Sequence, residues 1–253
     1  MNNKLSEREA KKINEERFQL VCKANDFIQK SRTSMTLTQQ KFILYAISKI
    51  KPTDTSFDEF SIHLNDFYKT CGVKFESYYE LKKALVDIDN KAWWIDIVDE
   101  NGEEWESRVR WFSKMELKKN GAEVRLQFHQ ELKPYLLELV KDKFYTSYTL
   151  GYVLPFGSVY SLKLYELFKT YQNVAVWEFS LEKLKKILYC TGKYPSIKDF
   201  KLYVIDKAIS EINRFTDLLI SYDSRRTGRK ITHLIFYIES RDGISGEEYY
   251  ITE

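Results

Sequence analysis

Residues 194–239, YPSIKDFKLYVIDKAISEINRFTDLLISYDSRRTGRKITHLIFYIE, decide how this chain is read. Pro195 breaks whatever precedes it, and Ser196 is placed to cap with Asp199 three residues on, a near relative of the capping box. Phe200, Val204, Ala208, Ile212 and Phe215 then recur every three or four residues, which puts them on one helix face. Lys198, Lys201, Tyr203, Lys207, Ser210, Asn213 and Arg214 are left to project from the rest of the barrel. After Asp217 the period changes to short strand-like runs at 218–222 and 231–238. Between them lies Asp223-Ser224-Arg225-Arg226-Thr227-Gly228-Arg229-Lys230, a hairpin tip with four positive charges. A helix with a basic outer face, joined to a two-stranded ribbon with an arginine-rich tip, is the outline of a winged helix reading DNA.

The same order of elements is visible upstream. Leu44-Tyr45 recurs as Leu164-Tyr165, Glu59-Phe60-Ser61 as Glu178-Phe179-Ser180, Gly72 as Gly192, and the capping Ser77 as Ser196. Leu81 and Leu85 match Phe200 and Val204; the offset stays near 120 residues and drifts to about 124 between Ile88 and Ile212. Constant order and offset mark an internal repeat. Each copy runs helix, short strand, helix, capped helix, hairpin. The expected fold is therefore α+β, two tandem winged-helix domains (helix-turn-helix with a β-wing) related by internal duplication. The expected limits are a charged N-terminal segment at 1–17, the first domain at 18–143, a linker at 144–157, the second domain at 158–240 and a C-terminal tail at 241–253. Within the first domain, strands are expected at 93–98, 105–117 and 122–129, with a turn at Asn101-Gly102 and a helix at 130–140.

Composition narrows the function classes. An apolar content of 43% with 15% aromatics belongs to a folded globular protein. The net charge of +3 announces no partner, but residues 181–230 carry 12 Lys/Arg against 6 Asp/Glu, a local excess of +6. Cys22, Cys71 and Cys190 are widely spaced, which fits a reducing cytoplasm and excludes the usual zinc spacings. The N-terminus lacks an apolar signal region, and no run reaches the length of a membrane span. His63, His129 and His233 are far apart, with no H-x-H or H-E-x-x-H, and no phosphate-cradling glycine loop is present. We expect no metal, no cofactor and no enzymatic activity.

The DNA reading assigns roles by position. Ser196, Lys198 and Lys201, early on the capped helix, are placed for base edges in the major groove. Lys207, Asn213 and Arg214 fall further along, and Arg225, Arg226, Arg229 and Lys230 on the wing would follow the backbone or adjacent minor groove. In the first copy the corresponding helix is close to neutral, with Tyr78, Tyr79, Lys82 and Lys83 as secondary candidates. Its hairpin tip, Asp99-Glu100-Asn101-Gly102-Glu103-Glu104, is acidic and is expected to face protein or solvent. Trp93, Trp94, Trp105, Trp111 and Phe112 lie on strands beside it; most belong to a core, and any on the outer face suit a dimer interface.

In these residues the chain resembles the iteron-binding initiator replication proteins of theta-replicating plasmids, over about residues 20–240. The similarity rests on Ala24-Asn25-Asp26-Phe27-Ile28 and the run Met35 to Leu44, on Ser161-Leu-Lys-Leu-Tyr-Glu-Leu167, and on Tyr194, Phe200-Lys201 and Ala208-Ile-Ser-Glu-Ile-Asn213. The resemblance implies binding of repeated origin sequences (iterons) in double-stranded DNA, origin opening, and recruitment of host initiator, helicase and primase proteins. It also implies a homodimer through the first domain that represses its own gene at an operator inverted repeat. It makes the helix after Ser196 the principal reader and Lys163 a phosphate contact, although lysine stands where the pattern calls for arginine and offers a point charge instead of a fork. A winged-helix repressor without origin function, and a dimeric protein-interaction scaffold, are the competing readings.

Overall fold

The computed structural model describes residues 6–51, 53–73, 77–142 and 144–241. The first half runs α1 (Glu7–Arg17), β1 (Leu20–Ala24), α2 (Asn25–Lys30), β2 (Ser31–Arg32), α3 (Leu37–Ile47), β3 (Phe60–His63), α4 (Leu64–Cys71) and α5 (Tyr78–Asn90). Four strands follow, β4 (Trp93–Val98), β5 (Glu104–Val109), β6 (Phe112–Leu117) and β7 (Glu123–Phe128), then the short helices α6 (Lys133–Leu136) and α7 (Leu139–Asp142). The second half runs β8 (Tyr145–Thr149), α8 (Val159–Thr170), β9 (Val176–Ser180), α9 (Leu181–Ile187), α10 (Ile197–Phe200), a π-helical turn (Lys201–Asp206), α11 (Lys207–Phe215), β10 (Leu218–Thr227) and β11 (Lys230–Ser240). The expected C-terminal tail lies, from residue 242 onward, outside the described residues.

Local chemistry sets the boundaries. Thr36 and Gln39 form a reciprocal capping box at the start of α3, and the Ser77 hydroxyl accepts from the Glu80 amide at the start of α5. Gly72 ends α4 at φ 61°, a left-handed position that a β-carbon would strain. The expected helix at 130–140 is instead a 3-10 turn, α6 and α7, broken where Glu138 adopts φ 54°.

Strand pairing shows what the duplication preserved. In the second half β9 pairs with β11, and β11 with β10, giving the order β10-β11-β9. In the first half β3 pairs with β7, and β7 with β6, giving β3-β7-β6. The counterpart of the wing is thus β6–β7, whose tip is Lys118-Lys119-Asn120-Gly121. The acidic hairpin β4–β5 is an additional ribbon that joins β2 in a separate sheet. This corrects the sequence expectation, which gave the acidic ribbon the wing's place because it follows α5 directly. Register, not adjacency, decides.

Residues 145–149, expected in a linker, form a strand against β1 with Leu20 opposite Thr149 and Ala24 opposite Tyr145. Thr146 and Tyr148 alternate into the interior, the period of a half-buried strand. The partner lies about 120 residues earlier in the chain, so no local signal distinguishes this strand from a linker.

α8 is buried on nearly every side. Leu162, Leu164, Tyr165, Leu167 and Phe168 pack into a core continuous with both halves, and Ser161 and Glu166 are buried with them. A helix buried on nearly every side is enclosed by its neighbours, and α8 packs against α2 of the first half and α11 of the second. The Glu166 carboxylate accepts from Lys23 Nζ on β1 at 2.5 Å and from the Tyr148 hydroxyl on β8. Burial, with Glu166 alongside, pushes the Tyr148 hydroxyl well above its ordinary pKa, so it stays a donor. At the other end of α8, Tyr165 Oη donates to Asp217 at 2.9 Å and Lys169 pairs with the same carboxylate at 2.8 Å.

Glu166→Gln should destabilise the protein by about 3–5 kcal/mol, because it leaves the Lys23 ammonium buried without its counter-charge. Urea denaturation of the variant, and of Glu166→Gln combined with Lys23→Met, reads the effect; the double variant should recover most of the loss. An unchanged midpoint for Glu166→Gln would show that the pair does not hold α8 in place.

Candidate DNA interface

α10, the π turn and α11 form one continuous helix that Ser196 opens, its hydroxyl accepting from the Asp199 amide at 3.4 Å. Phe200, Val204, Ala208 and Ile212 are buried as their spacing requires, and Ile205 is buried as well. All five lie within one helical stripe, and the turn Lys201–Asp206 that carries Val204 and Ile205 is π-helical. Ser196, Lys198, Asp199, Leu202, Tyr203, Asp206, Lys207 and Ser210 are exposed on the opposite side.

Three contacts lock the wing to this helix. Asn213 Nδ2 donates to the Ile220 carbonyl at 2.9 Å, and Asn213 Oδ1 accepts from the Ile220 amide at 2.7 Å. Tyr222 Oη donates to Asp206 at 2.6 Å. Lys201 Nζ lies 3.4 Å from Ser224 Oγ and 5.0 Å from the centre of the Tyr222 ring. Asn213 therefore holds the backbone of β10, and both of its amide atoms are engaged there. Lys201 is half-buried against the wing instead of projecting freely.

The remaining candidates separate into those that are free and those that are held. Lys198 and Lys207 are exposed along the helix, and Arg214 lies at its far end over the Phe215 ring at 5.0 Å. On the wing, Arg225 Nε pairs with Glu178 at 2.8 Å, and a bulge between Arg225 and Arg226 turns the ribbon. Beyond the bulge Arg226, Arg229 and Lys230 are exposed and form no ion pair with any described residue. Lys163 is elsewhere: its Nζ donates to the Ile28 carbonyl at 2.7 Å and the Ser31 carbonyl at 2.9 Å, near the end of α2. Burial, opposed by nearby Glu166, pulls its pKa down to about 7. In this arrangement Lys163 ties α8 to the first half and is not part of the exposed basic surface. An inward turn of α8, invisible in a local charge pattern, accounts for the difference.

In the first half Tyr78, Tyr79, Lys82 and Lys83 are all exposed on α5. Gly121, at φ 68°, lies against Tyr78 so closely that a β-carbon there would come within 2.8 Å of the ring. The β6–β7 tip, with exposed Lys118 and Lys119, thus adjoins the start of α5. Those two lysines were missed because the acidic ribbon had been given the wing's place. Lys114 and Arg125 lower on the same ribbon are held by Glu59 and Glu116. Of the aromatics, Trp93, Trp111 and Phe112 are core, whereas Trp94 and Trp105 are 38% and 55% exposed. Among the described residues no group of three or more His, Cys, Asp or Glu could hold a metal, and no helix is long and apolar enough to cross a membrane. Cys22, Cys71 and Cys190 are buried free thiols.

Two capped helices, each beside a hairpin with a cationic tip, define a tandem winged-helix protein. The chain belongs to the initiator replication protein family: the family model described as "Initiator Replication protein, WH1" matches residues 20–169, and "Initiator Rep protein, WH2" matches residues 180–238. By sequence α8 thus falls with the first domain, although it also packs on α11 of the second. The chain is 32% identical over 141 residues to the PI protein of Escherichia coli, a match spanning 49% of this chain and 46% of that protein. It is similar in fold to the crystal structure of a Pi initiator protein in complex with iteron DNA, with a TM-score of 0.72, 20% identity, and coverage of 90% of this chain and 99% of that one.

Asn213→Ala should lower stability by about 1–3 kcal/mol, since it strands the Ile220 amide and carbonyl at the root of the wing. The salt dependence of DNA binding should keep its slope, because no phosphate contact is lost. A flattened slope with unchanged urea midpoint would reassign Asn213 to the DNA.

Proposed function

We propose that this protein is a plasmid replication initiator that binds repeated origin sequences in double-stranded DNA, helps open the origin and recruits host initiator, helicase and primase proteins. The observation that carries the reading is the exposed helix after Ser196 flanked by the free cations Arg226, Arg229 and Lys230 beyond the wing's bulge. A helix of this kind enters the major groove while the wing tip follows the adjacent backbone. Ser196, Lys198 and Lys207 are the base or near-backbone contacts of the second domain; Tyr78, Tyr79, Lys82 and Lys83, with Lys118 and Lys119, give the first domain a weaker second contact. Family membership and the shared fold of an initiator crystallised on iteron DNA support the same conclusion.

The test is a footprint of the protein on DNA spanning its own gene and the upstream kilobase, at physiological salt. Protected direct repeats in helical phase establish an initiator; one protected inverted repeat alone indicates a repressor. Removing Arg226, Arg229 and Lys230 together should weaken binding to all sequences and flatten the salt slope by up to about 0.9 per lost phosphate contact. An unchanged slope would remove the wing from the interface.

A dimer through the first domain, acting at an operator inverted repeat, completes the reading. β5 is an edge strand, with no neighbour on its outer side among the described residues. A two-fold antiparallel pairing centred on Ser107 would set Glu106 opposite the second copy's arginine at 108 and Glu104 opposite that at 110. Reversing Arg110→Glu should drive the protein to monomer in sedimentation, and adding Glu104→Arg should restore the dimer. A dimer indifferent to both changes would rule out this edge.

A further inference from the structure

The outward face of the reading helix is not uniformly basic. Between Lys198 and Lys207 it presents Asp199, Leu202, Tyr203 and Asp206. Leu202 and Tyr203 are 50% and 58% exposed, although each is large. Their exposure follows from the helical wheel: with Val204, Ile205 and Ala208 turned inward, positions 202 and 203 fall on the opposite side.

A single exposed apolar residue needs no explanation. Two adjacent ones at the middle of a surface otherwise suited to DNA do. Asp199 and Asp206 flank them, and carboxylates in this stripe are repelled by phosphates, so the stripe does not lie along the backbone. The cations that suit phosphate stand to either side, at Lys198, Lys207 and the wing tip. With phosphates held at the flanks, the stripe between them faces the floor of the major groove. The apolar feature exposed on that floor is the C5 methyl group of thymine.

Resting on the DNA-reading role above, we propose that Leu202 and Tyr203 are specificity-determining residues that read thymine methyl groups. The recognised repeats then contain thymines at fixed positions under the centre of the helix. Lysines position the protein on the backbone, and the apolar pair selects the sequence.

The experiment exchanges each thymine of one protected repeat for deoxyuridine, which removes the methyl and keeps the hydrogen-bonding edge. Affinities are measured for the full chain, for Leu202→Ala and Tyr203→Ala, and for Lys198→Ala as a comparison. The unaltered protein should lose about fourfold at each methyl that is read, the equivalent of one buried methylene-sized group. Leu202→Ala should bind the thymine site more weakly and become indifferent to deoxyuridine at one position, while Tyr203→Ala does so at a neighbouring one. Lys198→Ala should keep the full sensitivity at both. Both apolar side chains are on the surface, so the variants should retain the urea midpoint, which separates lost contact from lost fold. Protected repeats whose affinity ignores every exchange, or variants as sensitive as the parent, would overturn the proposal alone. If no repeat is protected, the DNA-reading role falls and takes the proposal with it.

Discussion

The Glu166 carboxylate has lost its water and is held by an ammonium from β1 and a hydroxyl from β8. Such a group is tolerated only when its partners are in place, so α8 can occupy the centre only with the β1–β8 ribbon closed around it. Lys163, one turn earlier, donates to two carbonyls near the end of α2, and Lys169, one turn later, reaches Asp217 at the root of the wing. The polar contacts along one helix therefore fix the first half, the ribbon and the second half against each other. Apolar burial supplies the attraction, but it is non-directional. The charged contacts select a single packing.

That constraint reaches the DNA-facing surface through the wing. Asp217 begins the turn into β10, and four residues earlier Asn213 clamps the Ile220 amide and carbonyl. The Tyr222–Asp206 hydrogen bond then sets the angle between ribbon and helix. A wing on a loose root would lose conformational freedom on meeting DNA; here much of that ordering is already present in the fold. The contacts that tie the ribbon to the helix and to Glu178 end at Arg225, and beyond the bulge Arg226, Arg229 and Lys230 are exposed.

Much of this was legible in the sequence, for identifiable reasons. The 3.6-residue spacing of Phe200, Val204, Ala208 and Ile212, the serine caps and the glycine-bearing hairpin tip are local signals, and they placed the reading helix and its wing. The internal repeat supplied the second copy. Three features were not local. The wing of the first half is set by pairing β3 with β7, across about 60 residues, and the acidic ribbon nearer in sequence took its place in the expectation. The strand at 145–149 has its partner at 20–24. Asn213 and Lys163 are polar residues on helices, and composition cannot tell a side chain that caps a backbone inside the fold from one that meets solvent.

Charge is segregated more strongly than the chain total of +3 suggests. The β4–β5 tip carries Asp99, Glu100, Glu103 and Glu104, while the second wing carries four cations within six residues. A polyanion attracts the second wing and repels the β4–β5 tip, so such a distribution favours approach by the wing. The acidic ribbon is anchored on its inner side by Arg32, which reaches both Asp96 and Glu106 at 2.7 Å, and Lys186 of α9 approaches Asp96 at 3.3 Å. The ribbon is thus a fixed part of the electrostatic outline and not a loose appendage.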